Sequence, residues 1–148
     1  MTDTPIARTP AEQALLRNLD LLVDGKISDW VNLFTPDGVL EFPYAPPGWP
    51  DRFQGHAAIH DHMRKFPEHL SVTFHNIRFH PVSDPELVIA EFDGEGTVLS
   101  SGRAFRQTYI SVIWTQDGRI TRYRDFWNPV QLMEALGGAE AATRAVQS

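Results

Sequence analysis

Near the C-terminal end of the chain, Arg122 to Pro129 reads RYRDFWNP. In a strand, successive side chains alternate between faces, so Arg122, Arg124 and Phe126 share one face while Tyr123, Asp125 and Trp127 share the other. The arginines claim the solvent. That leaves Asp125 between two aromatic rings, where burying an ionised carboxylate is expensive. Desolvation raises the pKa of such a carboxyl, and a carboxylate poised nearer neutrality can take a proton from a carbon acid or return one. The competing reading is a satisfied internal pair with an arginine such as Arg106. From spacing alone the two readings are evenly supported.

Other groups able to do chemistry are weaker candidates. Six histidines are present, at 56, 60, 62, 69, 75 and 80. His56 and His60 have the i, i+4 spacing of a metal pair, but no acidic or cysteine ligand accompanies them in a recognisable motif, so a solvated helix face is the expectation and no metal is assigned. His62 lies beside the apolar stripe Ile59, Met63, Phe66 and can reach a pocket as an acid. His75 shares strand parity with Ile77 and Phe79 and so is placed on an apolar side. Tyr44 shares parity with Phe42 and Leu40, where its hydroxyl can polarise a carbonyl or simply form wall. Glu91, Asp93 and Glu95 share a face without the ligand-dense turn of a cation loop. They read as a solvated or dimer-edge surface.

The strand before the last offers two faces: Phe105, Gln107, Tyr109, Ser111 and Ile113, or Arg106, Thr108, Ile110, Val112 and Trp114. A two-residue Asp117-Gly118 turn sets Ile110 opposite Asp125, whereas a three-residue loop from Gln116 with a bulge at Gly118 sets Tyr109 there. The second is preferred because it gathers polar and aromatic groups around the carboxylate.

The whole chain constrains what can position these residues. Its 148 residues suit one domain with a real core. With 42% hydrophobic and 22% charged residues it reads as globular, and a net charge of −6 argues against a phosphate-binding surface. No nucleic acid is expected as a partner. Absent cysteine excludes disulfides, thiolate metal sites and cysteine nucleophiles. No apolar run reaches membrane-spanning length and the N-terminus lacks a signal-peptide pattern, so no membrane is expected and the reading is cytoplasmic.

Leu15, Leu19 and Leu22 give a first helix, with Thr9 as N-cap, Pro10 at its first position and Gly25 closing it. A second short helix starts at Ser28 or Asp29 and stops before Pro36, then a strand runs from Val39 to Tyr44. Four prolines make residues 43–55 a stiff, irregular loop in which Trp49 and Phe53 can cover something. A third helix carries Ile59, Met63 and Phe66 and ends at Pro67. Four strands follow, and Asn128-Pro129 starts a last short helix. Residues 1–9 are expected as a flexible start, 10–138 as the single domain, and 139–148 as a frayed tail. The order predicts an α+β fold: a cone-shaped, curved antiparallel sheet packed with three helices from the first half of the chain around an internal cavity.

That order, with RITRYRDFWNPVQLMEALGG from Arg119 to Gly138, resembles the NTF2-like superfamily in its SnoaL-like branch, and within it the phenazine-biosynthesis A/B proteins. The matching pieces are Phe66-Pro67, Asp84-Pro85, EFDGEG at 91–96, DGRI at 117–120 and the RxFxNP ending. The resemblance implies a homodimer joined through the outer sheet face, a deep apolar pocket, and no metal or organic cofactor. It implies a cavity carboxylate used as general acid or base at Asp125. The phenazine proteins' catalytic histidine and the serine four residues on fall at Ala58 and His62, which departs from a phenazine-type condensation. The base of ketosteroid isomerases falls at Phe42, which removes that mechanism as well.

The expected activity is therefore a cofactor-independent isomerase, cyclase or dehydratase acting on a small hydrophobic carbonyl compound. Asp125 shuttles the proton, His62, Tyr44 or Tyr109 meets the developing oxyanion, and Phe42, Trp49, Tyr123, Trp127 and His75 shape the site. A non-catalytic binding protein or an accessory dimeric subunit is the alternative.

Overall fold

Thr9 and Glu12 start the first helix by exchanging side-chain and backbone hydrogen bonds, Thr9 N to Glu12 Oε1 at 3.0 Å and Glu12 N to Thr9 Oγ1 at 3.1 Å. In the computed structural model, which describes residues 7–138, helix α1 then runs from Pro10 to Val23 and buries Ala11, Ala14, Leu15, Asn18, Leu19 and Leu21 along one stripe. Of the flexible start expected over residues 1–9, residues 1–6 lie outside the described residues, as does the tail expected over 139–148. Helix α2 spans Ile27–Val31 and buries Ile27, Trp30 and Val31. It starts one residue ahead of Ser28.

Strand β1 covers Phe34–Glu41, earlier at both ends than the expected Val39–Tyr44. Its Pro36-Asp37-Gly38 signal is absorbed as a bulge, the register with the last strand jumping between Phe34 and Val39. A short β2, Arg52–Gln54, pairs with β1 inside the proline-rich segment expected to be irregular. It begins only after Pro50, so every residue in it keeps its N–H. Helix α3 is His56–Met63 and α4 is the single turn Phe66–His69. Pro67, expected to end a helix, instead lies in the first turn of α4, where a missing N–H costs nothing.

Strands β3 (Leu70–His80), β4 (Leu87–Val98), β5 (Ala104–Gln116) and β6 (Arg119–Trp127) complete the sheet, followed by helix α5 (Pro129–Ala135). Asn128 caps α5 by accepting from Val130 N at 3.0 Å. The sheet order is β2-β1-β6-β5-β4-β3. All neighbours are antiparallel except β1 and β6, which run parallel, so the sheet is mixed rather than wholly antiparallel. It is curved and does not close on itself.

Helices α1, α2 and α3 cover one face. Leu15, Leu19, Trp30 and Ile59 from the helices pack there on Phe34, Leu40, Ala90, Phe92, Ile113 and Ile120 from the strands. A second cluster, Val72, Val98, Phe105 and Ala135, is closed by Leu132 of α5 and by Leu136, the C-cap of that helix. Among the described residues no helix is long and apolar enough to cross a membrane. The opposite sheet face carries the charges: Arg122 bonds Glu41 at 2.5 Å, and His80 lies 2.6 Å from Glu91.

Candidate active site

The β5–β6 hairpin decides what faces Asp125. Asp117 and Gly118 have φ of 51° and 78°, and Gln116 pairs with Arg119, which makes a two-residue turn rather than the preferred three-residue loop. Beyond the turn the register shifts by one, leaving Thr121 as an extra residue in β6 with its hydroxyl donating to Trp114 O at 3.1 Å. Ser111 therefore stands opposite Asp125, in place of either Ile110 or Tyr109. The inward face of β5 is still the preferred one: Phe105, Gln107, Ser111 and Ile113 are buried, and Ile110 is 41% exposed on the other side.

Inside the curve of the sheet lies a cavity of about 650 Å³. Asp125, Tyr109, Gln107 and Trp127 contribute from β5 and β6, His62, Ala58 and Met63 from α3, and Leu132 and Leu136 from α5. Phe42, Trp49 and Pro50 contribute from the proline-rich segment. The sequence placed Asp125, His62, Phe42, Trp49, Tyr109 and Trp127 at one site, and the fold brings these six together.

Asp125 Oδ1 is shut off from solvent and, among the described residues, has no hydrogen-bond partner. Among the described residues it joins no ion pair. Arg106, the partner an internal pair requires, is exposed on the outer face. Arg124 also points outward, 5.2 Å over the Phe126 ring and 3.8 Å from Glu41. Desolvation lifts the Asp125 carboxyl to a pKa of about 7.

Tyr109 is stacked on Phe92 at 5.0 Å and meets Phe74 edge-on at 5.8 Å. The ring fits because Gly94 has no side chain; a Cβ there would stand 2.8 Å from Tyr109 Cε2. Burial, reinforced by the Asp125 charge, pushes the Tyr109 phenol well above its ordinary pKa, so it remains a neutral donor. His62 stacks on Phe53 at 4.0 Å and packs on Phe42 at 5.5 Å. Burial lowers its pKa, with Asp61 opposing, which favours a neutral imidazole.

Three expected residues lie elsewhere. Tyr44 is 58% exposed and packs on Phe126 outside the sheet. Its parity with Leu40 and Phe42 fails because β1 ends at Glu41 and the chain turns, Ala45 N bonding Phe42 O at 3.1 Å. His75 is also outside, 3.7 Å from Glu95. Asn76 has a φ of 57° and the β3–β4 register breaks between His75 and Arg78, so Ile77 and Phe79 point in while His75 points out. Tyr123 is buried behind the cavity, its hydroxyl 3.2 Å from Asn18 and 3.1 Å from Ser111.

The histidine pair on α3 does not converge: His56 bonds Phe34 O at 2.8 Å and His60 approaches Ser28 at 3.4 Å. Among the described residues no three metal-binding side chains cluster. Sequence reasoning missed Gln107, whose side chain bonds both Asn128 N at 2.7 Å and Asn128 O at 2.9 Å and so fixes where α5 starts. It also missed Leu132 and Leu136. Their i, i+4 spacing on α5 and the single polar Gln107 between Phe105 and Tyr109 were the available signals.

Residues 15–123 match a family model described as a SnoaL-like domain. An uncharacterised PhzA/B-like protein of Pseudomonas aeruginosa is 53% identical over 93% of this chain and 97% of its own length. The phenazine biosynthesis protein PhzA1 of the same species is 33% identical over 72% of this chain and 68% of its own. Among solved structures, a provisionally named isomerase from Bacillus subtilis superposes with a TM-score of 0.84 at 40% identity, covering 88% of this chain and 94% of that one. A curved mixed sheet wrapped on three helices around an interior carboxyl, with a family match across most of its length, makes this chain a member of the SnoaL-like family within the NTF2-like superfamily.

Proposed function

We propose that the protein is a cofactor-independent acid/base enzyme, an isomerase, cyclase or dehydratase, acting on a small hydrophobic carbonyl compound held in the cavity. One observation carries the reading: inside a pocket lined by aromatic rings stands a carboxyl with an unpartnered oxygen and, among the described residues, no ion pair. A carboxylate with a pKa near 7 is a far stronger base than one at ordinary values, and near neutrality it is still present in both forms. Asp125 takes a proton from the carbon beside the substrate carbonyl, and the electron pair moves onto the carbonyl oxygen. Tyr109 or His62 donates a hydrogen bond to that developing oxyanion; Tyr44, on the outer face, takes no part. Return of the proton at another carbon completes an isomerisation. Loss of a β-hydroxyl as water gives a dehydration, and attack of the carbanion on a second carbonyl gives a cyclisation.

The phenazine-biosynthesis name of one relative and the isomerase name of another support small-molecule chemistry on this scaffold. Ala58 lines the cavity at the position read as the phenazine proteins' histidine, so a condensation of their kind is not part of the proposal. The second partner is another copy of this chain, docked through the outer face of β5 and β6 where Ile110 and Tyr44 are exposed beside Phe126 and Trp114.

Deuterium uptake from heavy water at the α-carbon of a panel of hydrophobic ketones is expected with wild type and is expected to fall by about 10²-fold or more in Asp125→Asn. Equal uptake in the two proteins contradicts the assignment, and binding without uptake favours a carrier. A stability effect follows from the same carboxyl. Its folded pKa of about 7 lies above the unfolded value, so the native state holds a proton that the unfolded chain has released, and stability is lost as pH rises from about 4 to about 7. In urea titrations, Asp125→Asn should gain on wild type across that window by roughly 2–4 kcal/mol and hold the gain above it; a pH-independent difference rules the buried acid out. In sedimentation, wild type should run as a dimer and Ile110→Glu as a monomer, whereas a monomeric wild type disproves the paired assembly.

A further inference from the structure

Behind Asp125, four buried polar side chains join α1 and α2 to the floor of the cavity. The Trp30 indole N–H donates to Asn18 Oδ1 at 2.6 Å, Asn18 Nδ2 donates to the Tyr123 hydroxyl at 3.2 Å, and that hydroxyl lies 3.1 Å from Ser111 Oγ. Trp30 and Tyr123 are 2% and 3% exposed; Asn18 and Ser111 are 0%. All four are closed to bulk solvent.

The chemistry of the groups fixes the direction of each bond. An indole nitrogen can only donate, so the oxygen of Asn18 must face Trp30 and its amide nitrogen must face Tyr123. The amide nitrogen also only donates, so Tyr123 accepts there. Among the described residues, the acceptor that remains for the Tyr123 proton is Ser111 Oγ. Leaving it unbonded in a dry interior would cost about 1–3 kcal/mol. Ser111 thus accepts from Tyr123 and keeps its own proton, with no acceptor of its own.

Directly across the strand pair from Ser111 is Asp125, whose Oδ1 lacks a partner. Opposed residues in an antiparallel pair hold their Cβ atoms about 4.5–5.5 Å apart. A spare donor and an orphan acceptor therefore occupy facing positions on the inward side of the sheet. We propose that Ser111 donates a hydrogen bond to Asp125 Oδ1 when the carboxyl ionises, and that Trp30, Asn18 and Tyr123 hold Ser111 in the donor role. Ser111 is then a positioning residue. It favours the ionised form and keeps desolvation from driving Asp125 so far toward the acid form that no base remains near neutrality. This deepens the acid/base reading and rests on it for its functional meaning, but its geometry stands without any substrate.

Other groups facing Asp125 must be held constant in a test. Tyr109 of β5 and Tyr123 of β6 are the nearest ionisable side chains on the sheet, and Asp61 and His62 of α3, Arg64, Lys65 and His69 line the same cavity. Helix α5 and its C-cap bring the uncharged Leu132 and Leu136 to the cavity wall. The experiment is a pH titration of the Asp125 carboxyl carbon by NMR in protein labelled at aspartate, with Asp125→Asn to assign the signal. Ser111→Ala should raise the midpoint by about one unit, a tenfold change in acidity, while Tyr123→Phe, which leaves the serine proton in place, should move it little. The opposite polarity predicts no change in Ser111→Ala and a lowered midpoint in Tyr123→Phe, where the freed serine turns to the carboxylate. Either variant alone overturns the proposal if it behaves that way, and because no turnover is measured, failure of the acid/base reading is a separate result.

Discussion

A carboxyl group taken out of water without a cation beside it is the constraint around which the rest of the structure is arranged. The chain holds 13 lysines and arginines, and two of them, at positions 122 and 124, come just before Asp125. Strand alternation sends both to the far side of the sheet, where Glu41 and the rings of Trp114 and Phe126 hold them. Had either guanidinium reached the cavity, the pair would have pulled the carboxyl down to the ordinary range or below. Glu41 thus serves the site from outside: it keeps the arginines neutralised on their own face, and Arg122 in turn holds the Glu41 carboxyl below its ordinary pKa.

Beside Asp125 the cavity presents donors and rings, and its charged lining residues, Asp61, Arg64 and Lys65, make no ion pair with it among the described residues. Tyr109 and His62 are both held neutral by burial and present hydrogen-bonding atoms to a cavity whose wall includes Phe42, Trp49 and Trp127. Helix α1, far away in sequence, reaches the same place through Asn18, a polar residue in the middle of an apolar stripe. Its amide oxygen accepts from Trp30 and its amide nitrogen donates to Tyr123, so a buried group that would otherwise be costly becomes a fixed strut. Gln107 plays the matching part at the other end, tying β5 to the start of α5 and hence setting where Leu132 and Leu136 close the cavity.

Local signals carried the helix starts at Thr9-Pro10 and Asn128-Pro129 and the alternation from Arg122 to Trp127, because each depends on neighbours within a few residues. They failed where the pattern is set by a distant partner. His75 and Tyr44 were both placed by counting in twos, and the count breaks at the Asn76 bulge in one case and at the end of β1 in the other. The β5–β6 register was reached through two departures from expectation, a shorter turn and an extra residue at Thr121, whose effects on the facing of β5 cancel. Bulges are settled by pairing across the sheet, and no run of residues around Thr121 announces one. Asn18 was legible in principle, as the one polar side chain on the buried stripe of α1, but only the fold shows that it leads to Tyr123.

The central claim is that Asp125 is a protonatable carboxyl near neutral pH rather than a permanently ionised one, and infrared difference spectroscopy of wild type against Asp125→Asn observes that directly. The account predicts the carbonyl stretch of a protonated carboxyl at about pH 5, fading to a carboxylate signal as pH passes about 7. A carboxylate signal alone across that whole range would mean that something offsets the burial, and the proton-shuttle account would be wrong.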